Sequence, residues 1–281
     1  MGAPKTLAEM VGGYADAQIA VLLDNDGPLN HGQLDAIHPT RVAIRRLRST
    51  LHTFDIYQRT AADDLGAELR WFGAILGRVR DLDVQSRRLT IALRDVEDWS
   101  SAAAARSALD DVSAARARAA WVQVGVALGS TRYDRLRTML ADWAADPPLR
   151  KRAHRPATEA ARYVDDADHT LRQRLAHAIA AATAGTDDAP RLAHAARRAG
   201  KRHRYAAELA LPVLGAAGTR LVEQRAELQD VLGEQQDAIV AHDFIAEVAA
   251  TAADAARPAL DAVLRREEQI IADAEHLLAS L

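Results

Sequence analysis

Apolar positions along this chain recur at three- and four-residue intervals, and no alternating run of β-branched residues competes with that period. The interruptions are short and rich in turn formers: Asp24-Asn25-Asp26-Gly27-Pro28, Gly129-Ser130, Asp146-Pro147-Pro148, and Gly185 through Pro190. The pattern predicts helices at about 5–23, 33–59, 61–96, 101–128, 131–145, 156–184, 190–211, 219–252 and 258–279. Asp187 or Asp188, ahead of Pro190, reads as an N-cap, because a short carboxylate can accept the first free amides and proline suits the first turn. Long helices with short connections imply an all-α protein with antiparallel packing. The natural boundary is Asp146-Pro147-Pro148, giving halves 5–148 and 149–281 of about four helices each. A dense basic run, Arg150-Lys151-Arg152-Ala153-His154-Arg155, follows it directly.

The halves share a pattern. His38-x-x-Arg41-x-x-x-Arg45-Arg46-x-Arg48 returns as His194-x-x-Arg197-x-x-x-Lys201-Arg202-x-Arg204, displaced by 156 residues. The same displacement carries Leu76-Gly77 onto Leu232-Gly233, Asp81 onto Asp237 and Val84 onto Val240. One offset over two separated blocks marks a duplicated unit, for which packing about a pseudo-twofold axis is the expectation.

At about 100° per residue, His38, Arg41, Arg45 and Arg48 fall within an arc of about 80°, with His52 continuing it. Leu47, Leu51 and Phe54 lie opposite, so this helix sets a cationic rail against an apolar back. His194, Arg197, Lys201 and Arg204 form the second rail, flanked by Arg198 and Tyr205, over a thinner back of Ala199, His203, Ala206 and Ala207. Like charges three and four apart repel by a few tenths of a kcal/mol per exposed pair. No acid lies between Thr40 and His52 to relieve this. Asp81, Asp83, Asp237 and Glu208 are the acids available to neutralise single arginines or to orient them from behind. Tyr133 and Tyr205 either donate phenolic hydrogen bonds to an anion or fill the core. The repeated glycines, Gly77 and Gly233, suggest close helix approach.

Composition moves the argument from amount to position. The 281 residues hold 36 basic and 39 acidic side chains, a formal net charge of -3, so any electrostatic function depends on local segregation. The only lysines are Lys5, Lys151 and Lys201, and arginine forks suit phosphate oxygens. The absence of cysteine excludes disulfides, thiolate metal sites and cysteine nucleophiles. No apolar stretch approaches the ~20 residues of a membrane span, and Met1 to Ala8 lacks the pattern of a secretory signal, which predicts a soluble, cytoplasmic chain.

At these residues the chain resembles the CHAD family, the conserved histidine α-helical domain. The resemblance is carried by both His-x-x-Arg rails, by Leu76-Gly77-Arg78-Val79-Arg80-Asp81-Leu82-Asp83-Val84, by Ser130-Thr131-Arg132-Tyr133-Asp134-Arg135-Leu136, and by Lys201-Arg202-His203-Arg204-Tyr205-Ala206-Ala207-Glu208-Leu209. It covers about residues 10–279 and implies a single domain over 1–281. The implied fold is two tandem four-helix bundles related by a pseudo-twofold around a central basic groove or pore. The implied function is binding of inorganic polyphosphate, with targeting to polyphosphate granules; the repeated set holds no nucleophile, metal cluster or acid–base pair, so non-catalytic binding without cofactor or metal is expected. The candidate ligands implied are His38, Arg41, Arg45, Arg46, Arg48, Arg80, Arg132, Tyr133, His194, Arg197, Lys201, Arg202, Arg204 and Tyr205, with Arg198 beside them and Asp81 and Asp237 as orienting carboxylates. The first copy departs from the pattern with Ser49 where the second has Tyr205.

Two alternatives come from other classes. His242-Asp243, with His203 upstream and Asp261 downstream, imitates the ligand order of an HD-type metal-dependent phosphohydrolase. Single-stranded nucleic acid would use the same cations, but it usually adds aromatic stacking platforms. Here aromatics are 4% of the chain and neither rail interleaves Phe or Trp. Trp71, Trp99, Trp121 and Trp143 are expected in the core.

Overall fold

The computed structural model describes residues 3–279, the side chains at 190, 228–232 and 275–279 excepted. Leu232, matched to Leu76 by the repeat, therefore has a side chain outside the described residues. Among the described residues the chain forms α1 (Leu7–Asp24), α2 (Asp26–Asn30), α3 (Leu34–Thr53), α4 (Arg59–Ala92), α5 (Trp99–Leu128), α6 (Thr131–Ala145), α7 (Ala160–Thr183), α8 (Ala189–Leu209), α9 (Leu211–Ala249) and α10 (Arg257–Ala279). No strand occurs among them, only the isolated bridges Thr6–Pro156 and Tyr57–Leu149. The all-α expectation holds. No helix there is long and apolar enough to cross a membrane.

Local chemistry sets the ends. Thr6 and Ser130 cap α1 and α6 by accepting the Glu9 and Tyr133 amides, each at 3.2 Å. Asp188 stands at the N-cap of α8 without making that bond; its carboxylate accepts from Arg191 Nε at 2.9 Å instead. The predicted run to residue 59 stops at Thr53, because Phe54 turns extended (φ -96°, ψ 106°) to bury its ring against Tyr163, centroids 5.2 Å apart. Conversely, α9 opens eight residues before the expected 219 and is kinked at Gly215 (φ 52°, ψ -134°), a backbone state open to glycine.

The chain divides into two compact units, the first running to Leu76 and adding Gly125–Gln229, the second comprising Gly77–Val124 and the chain from Asp230 onward. The halves 5–148 and 149–281 marked by the repeat each contribute to both units. In the first unit, Leu7, Val11 and Ile19 of α1 are buried, as are Ile37, Ile44 and Leu47 of α3, Leu136 and Leu140 of α6, and Leu171 of α7. Tight approach helps: a Cβ on Gly73 of α4 would lie 3.0 Å from Ile44 Cγ2. Helices α7 and α8 form an extensively packed hairpin. The buried back of α8 is Ala196, Ala199, His203, Ala206, Ala207 and Ala210. A buried methyl contributes only roughly 0.8 kcal/mol, against roughly 1.5–3 for a leucine side chain, so this helix is held by the number and closeness of small contacts.

In the second unit, Leu89, Leu93, Leu109, Phe244, Ile245, Val248, Leu260 and Val263 form the core. Glu267 is wholly buried within it, and its carboxylate accepts from Arg88 Nε at 2.7 Å and Arg266 Nη1 at 3.0 Å. The tryptophan expectation needs correction. Trp143 is buried at 7% exposure, whereas Trp99 is 81% exposed at the first residue of α5, where no helix turn precedes it to cover the ring.

His203 lies under α8 with no exposed surface. Arg225 Nε donates to its Nδ1 at 3.1 Å, which leaves the proton of the neutral ring on Nε2. Burial above all holds its pKa below the ordinary value, with Asp168 opposing and Arg225 and Arg172 adding to the effect. An unfolded histidine takes up a proton below about pH 6.5 that this folded one refuses, so stability falls as pH drops through that value. Urea midpoints measured at about pH 7.5 and about pH 5.5 should show this loss. It should be smaller in His203→Gln; an equal loss in both proteins would mean that other groups set the acid sensitivity.

Candidate anion-binding site

Both rails lie in the first unit, on α3 and α8, and these helices pack against one another, with α1 contacting both. Their backs face the core: Ile44 and Leu47 of α3 and Ala199, Ala206 and Ala207 of α8 are buried. The proximity is electrostatic as well as geometric. The His52 pKa is held below its ordinary value, first by desolvation and then by Arg202 of the opposite rail, with Arg59 and Arg48 adding and Asp63 opposing. Burial and then Arg70 lower Arg48, while burial and then Arg198 and Arg174 lower Arg202. His194 is depressed by desolvation, then by Arg198, Arg197 and Lys201. Burial leads in each case, and the neighbouring cations lower these groups further.

One carboxylate holds the two helices together. Glu208 of α8 pairs with Arg46 of α3, with side chains 22% and 33% exposed. Tyr14 of α1 adjoins the pair; burial and the Glu208 charge push its phenol pKa upward. Around this bridge the Nε–H groups of Arg45, Arg46 and Arg204 are buried without a hydrogen-bond partner among the described residues. An unmet donor on a buried cation is costly, and an external oxyanion is the chemistry that would satisfy it. Arg204 also stacks over Tyr205, its guanidinium carbon 5.2 Å from the ring centroid.

The remaining expected residues fall in different places. His38 and His194 are exposed at the heads of the rails, and Arg41, Arg197 and Lys201 are partly buried along them. Arg132, from the first turn of α6, forks onto Glu68 at 2.7 and 3.1 Å and lies 4.3 Å over Trp71. Tyr133 is in the core, its ring 4.9 Å from Phe72 and its hydroxyl donating to Asp26 at 3.0 Å. Tyr205 is similarly buried, at 4% exposure. Ser49, its counterpart on α3, is buried with Oγ unpartnered, so the first rail presents no equivalent hydroxyl. Arg80, Asp81 and Asp237 belong to the second unit, where Arg80 Nη1 bonds Asp83 Oδ2 at 2.5 Å.

The structure adds Arg70 of α4 and Arg174 of α7 to the cationic set. Neither lies in a repeated motif, and their signal in the sequence is no stronger than that of any exposed helical arginine. For the hydrolase alternative, His203 is committed to Arg225, and among the described residues no three His, Asp or Glu side chains gather as a metal-binding group.

The geometry is thus an all-helical unit in which two cation-bearing helices, α3 and α8, pack against one another. The family model for the CHAD domain matches residues 13–246, and the chain belongs to that family. The chain is 28% identical over 257 residues to the uncharacterized proteins MT2285 and Rv2226 of Mycobacterium tuberculosis, strains CDC 1551 / Oshkosh and ATCC 25618 / H37Rv. That match covers 89% of this chain and 47% of each relative, so the chain spans about half their length. Among solved structures it resembles PptA from Streptomyces chartreusis (TM-score 0.77, 24% identity, 99% of this chain and 98% of that one). It also resembles the CHAD domain of the plant Ricinus communis (TM-score 0.72, 25% identity, 98% and 93%).

The electrostatic reading predicts that His52 and His194 titrate below about 6.5 in the free protein. Added salt should move both midpoints upward by screening the neighbouring cations. Two-dimensional NMR of the imidazole resonances measures this directly. Midpoints at or above the ordinary value would show that carboxylates neutralise the face.

Proposed function

We propose that the α3–α8 face binds inorganic polyphosphate, and that the chain acts without catalysis as a targeting or scaffolding module at cytoplasmic polyphosphate granules. The observation that carries this reading is the packing of two cation-bearing helices side by side, with depressed histidines and buried, unpartnered guanidinium donors between them. Successive rail residues rise about 4.5–6 Å along each helix, so a linear chain of phosphates meets a cation at nearly every turn. His38 and His194 at the rail heads add donors, or charge when protonated. Family membership supports the same ligand. Nucleic acid is the weaker partner because neither rail interleaves Phe or Trp as a platform on which a base could stack.

Calorimetry with long-chain polyphosphate should show binding that weakens as salt rises, with log K falling by about 0.7 per phosphate contacted for each unit of log salt concentration. Orthophosphate and single-stranded RNA of matched charge should bind far more weakly. Arg45→Glu with Lys201→Glu should flatten the salt slope and weaken binding while circular dichroism stays helical. Unchanged binding by that variant, or equal affinity for RNA, would remove the rails as a polyphosphate site.

A further inference from the structure

The basic run between α6 and α7 lies apart from the rails in sequence, and the α3–α8 reading does not use it. Its backbone is pinned at both ends. Arg150 N–H donates to Ile56 O and Gln58 N–H to Pro148 O, each at 2.7 Å, while Leu7 N–H donates to Arg155 O at 2.9 Å and Ala157 N–H to Lys5 O at 3.0 Å. Between these bridges Lys151–His154 forms a single 3₁₀ turn anchored by Ala153, which is wholly buried. The turn therefore cannot collapse inward, and its long side chains are held outward around a basin of about 420 Å³ lined by Arg150, Lys151, Arg152 and Arg155.

The guanidinium groups are oriented as well as gathered. Asp55, just past the end of α3, accepts from Nη1 of both Arg150 and Arg152, and Glu159 accepts from Arg155 Nη1 at 3.2 Å. Each arginine thus spends one nitrogen on a carboxylate, and among the described residues its remaining side-chain donors make no other hydrogen bond. Arg150 and Arg152 are each 37% exposed. Four cations face two carboxylates, an excess of two positive charges that one dianion would balance. Forked donors, a fixed concave frame and an excess of two charges match a tetrahedral phosphate-class oxyanion better than a single carboxylate.

We infer that this basin is a second anion site, separate from the α3–α8 rails, that binds a small phosphoryl anion of inorganic phosphate or pyrophosphate type. Pyrophosphate is the probe, titrated into the full chain carrying Arg45→Glu and Lys201→Glu so that the rails are already reversed. Amide resonances of Arg150–Arg155 should shift and saturate at constant ionic strength. Adding Lys151→Glu and Arg155→Glu, both of which leave the Asp55 clamp intact, should abolish the shifts, since each charge-assisted hydrogen bond removed weakens affinity roughly tenfold. Shifts that are absent, fail to saturate or survive this second reversal would overturn the inference. Long-chain polyphosphate titrated into the protein carrying only Lys151→Glu and Arg155→Glu reads the rails separately. Retained binding there, with pyrophosphate binding abolished, would support two independent sites, whereas failure of both ligands to bind that variant would overturn the separation.

Discussion

Two rows of like charge do not lie side by side unaided, and the first unit is organised around that constraint. Apolar backs on α3 and α8 supply the attraction, and the Arg46–Glu208 bridge ties the two helices. Removing Glu208 would leave the half-buried Arg46 guanidinium among other cations, which is why the position of this carboxylate matters more than its nominal strength. Elsewhere on the rails, neighbouring cations add to burial in lowering the pKa of His52, His194, Arg48 and Arg202. Those cations are what an incoming anion would meet.

Much of this could be read from periodicity. Helix order and the azimuth of each rail follow from spacing at three and four residues, and α6 occupies the predicted 131–145. The chain's own turns explain the misses. Phe54 leaves α3 for a buried aromatic contact, and Gly215 adopts a conformation that hydropathy cannot register. The meeting of α3 and α8 within one compact unit rests on contacts more than a hundred residues apart, which no local pattern encodes.

The arginines make the same point at finer scale. Arg46, Arg132 and Arg45 look alike in sequence, yet one is tied to Glu208, one forks onto Glu68 above an indole, and one keeps a buried Nε–H unmet. The partners lie on other helices, so composition alone could not separate structural cations from those left for a ligand. Tyr133 is similar: its motif suggests a contact, while its hydroxyl is spent on Asp26 inside the unit. Conversely, Arg70 and Arg174 join the field only because α4 and α7 bring them there.

The alanine back of α8 has a consequence for how such a domain can change over generations. Ala196, Ala199, Ala206, Ala207 and Ala210 have no rotamers through which an added methylene could be absorbed, so even small substitutions there would turn or lift the helix. Exposed positions of the same helix, such as His194 and Arg198, carry no such restriction. Selection acting on α8 therefore meets a rigid side and a permissive side. The exposed side can drift in sequence while the helix that carries it stays in place.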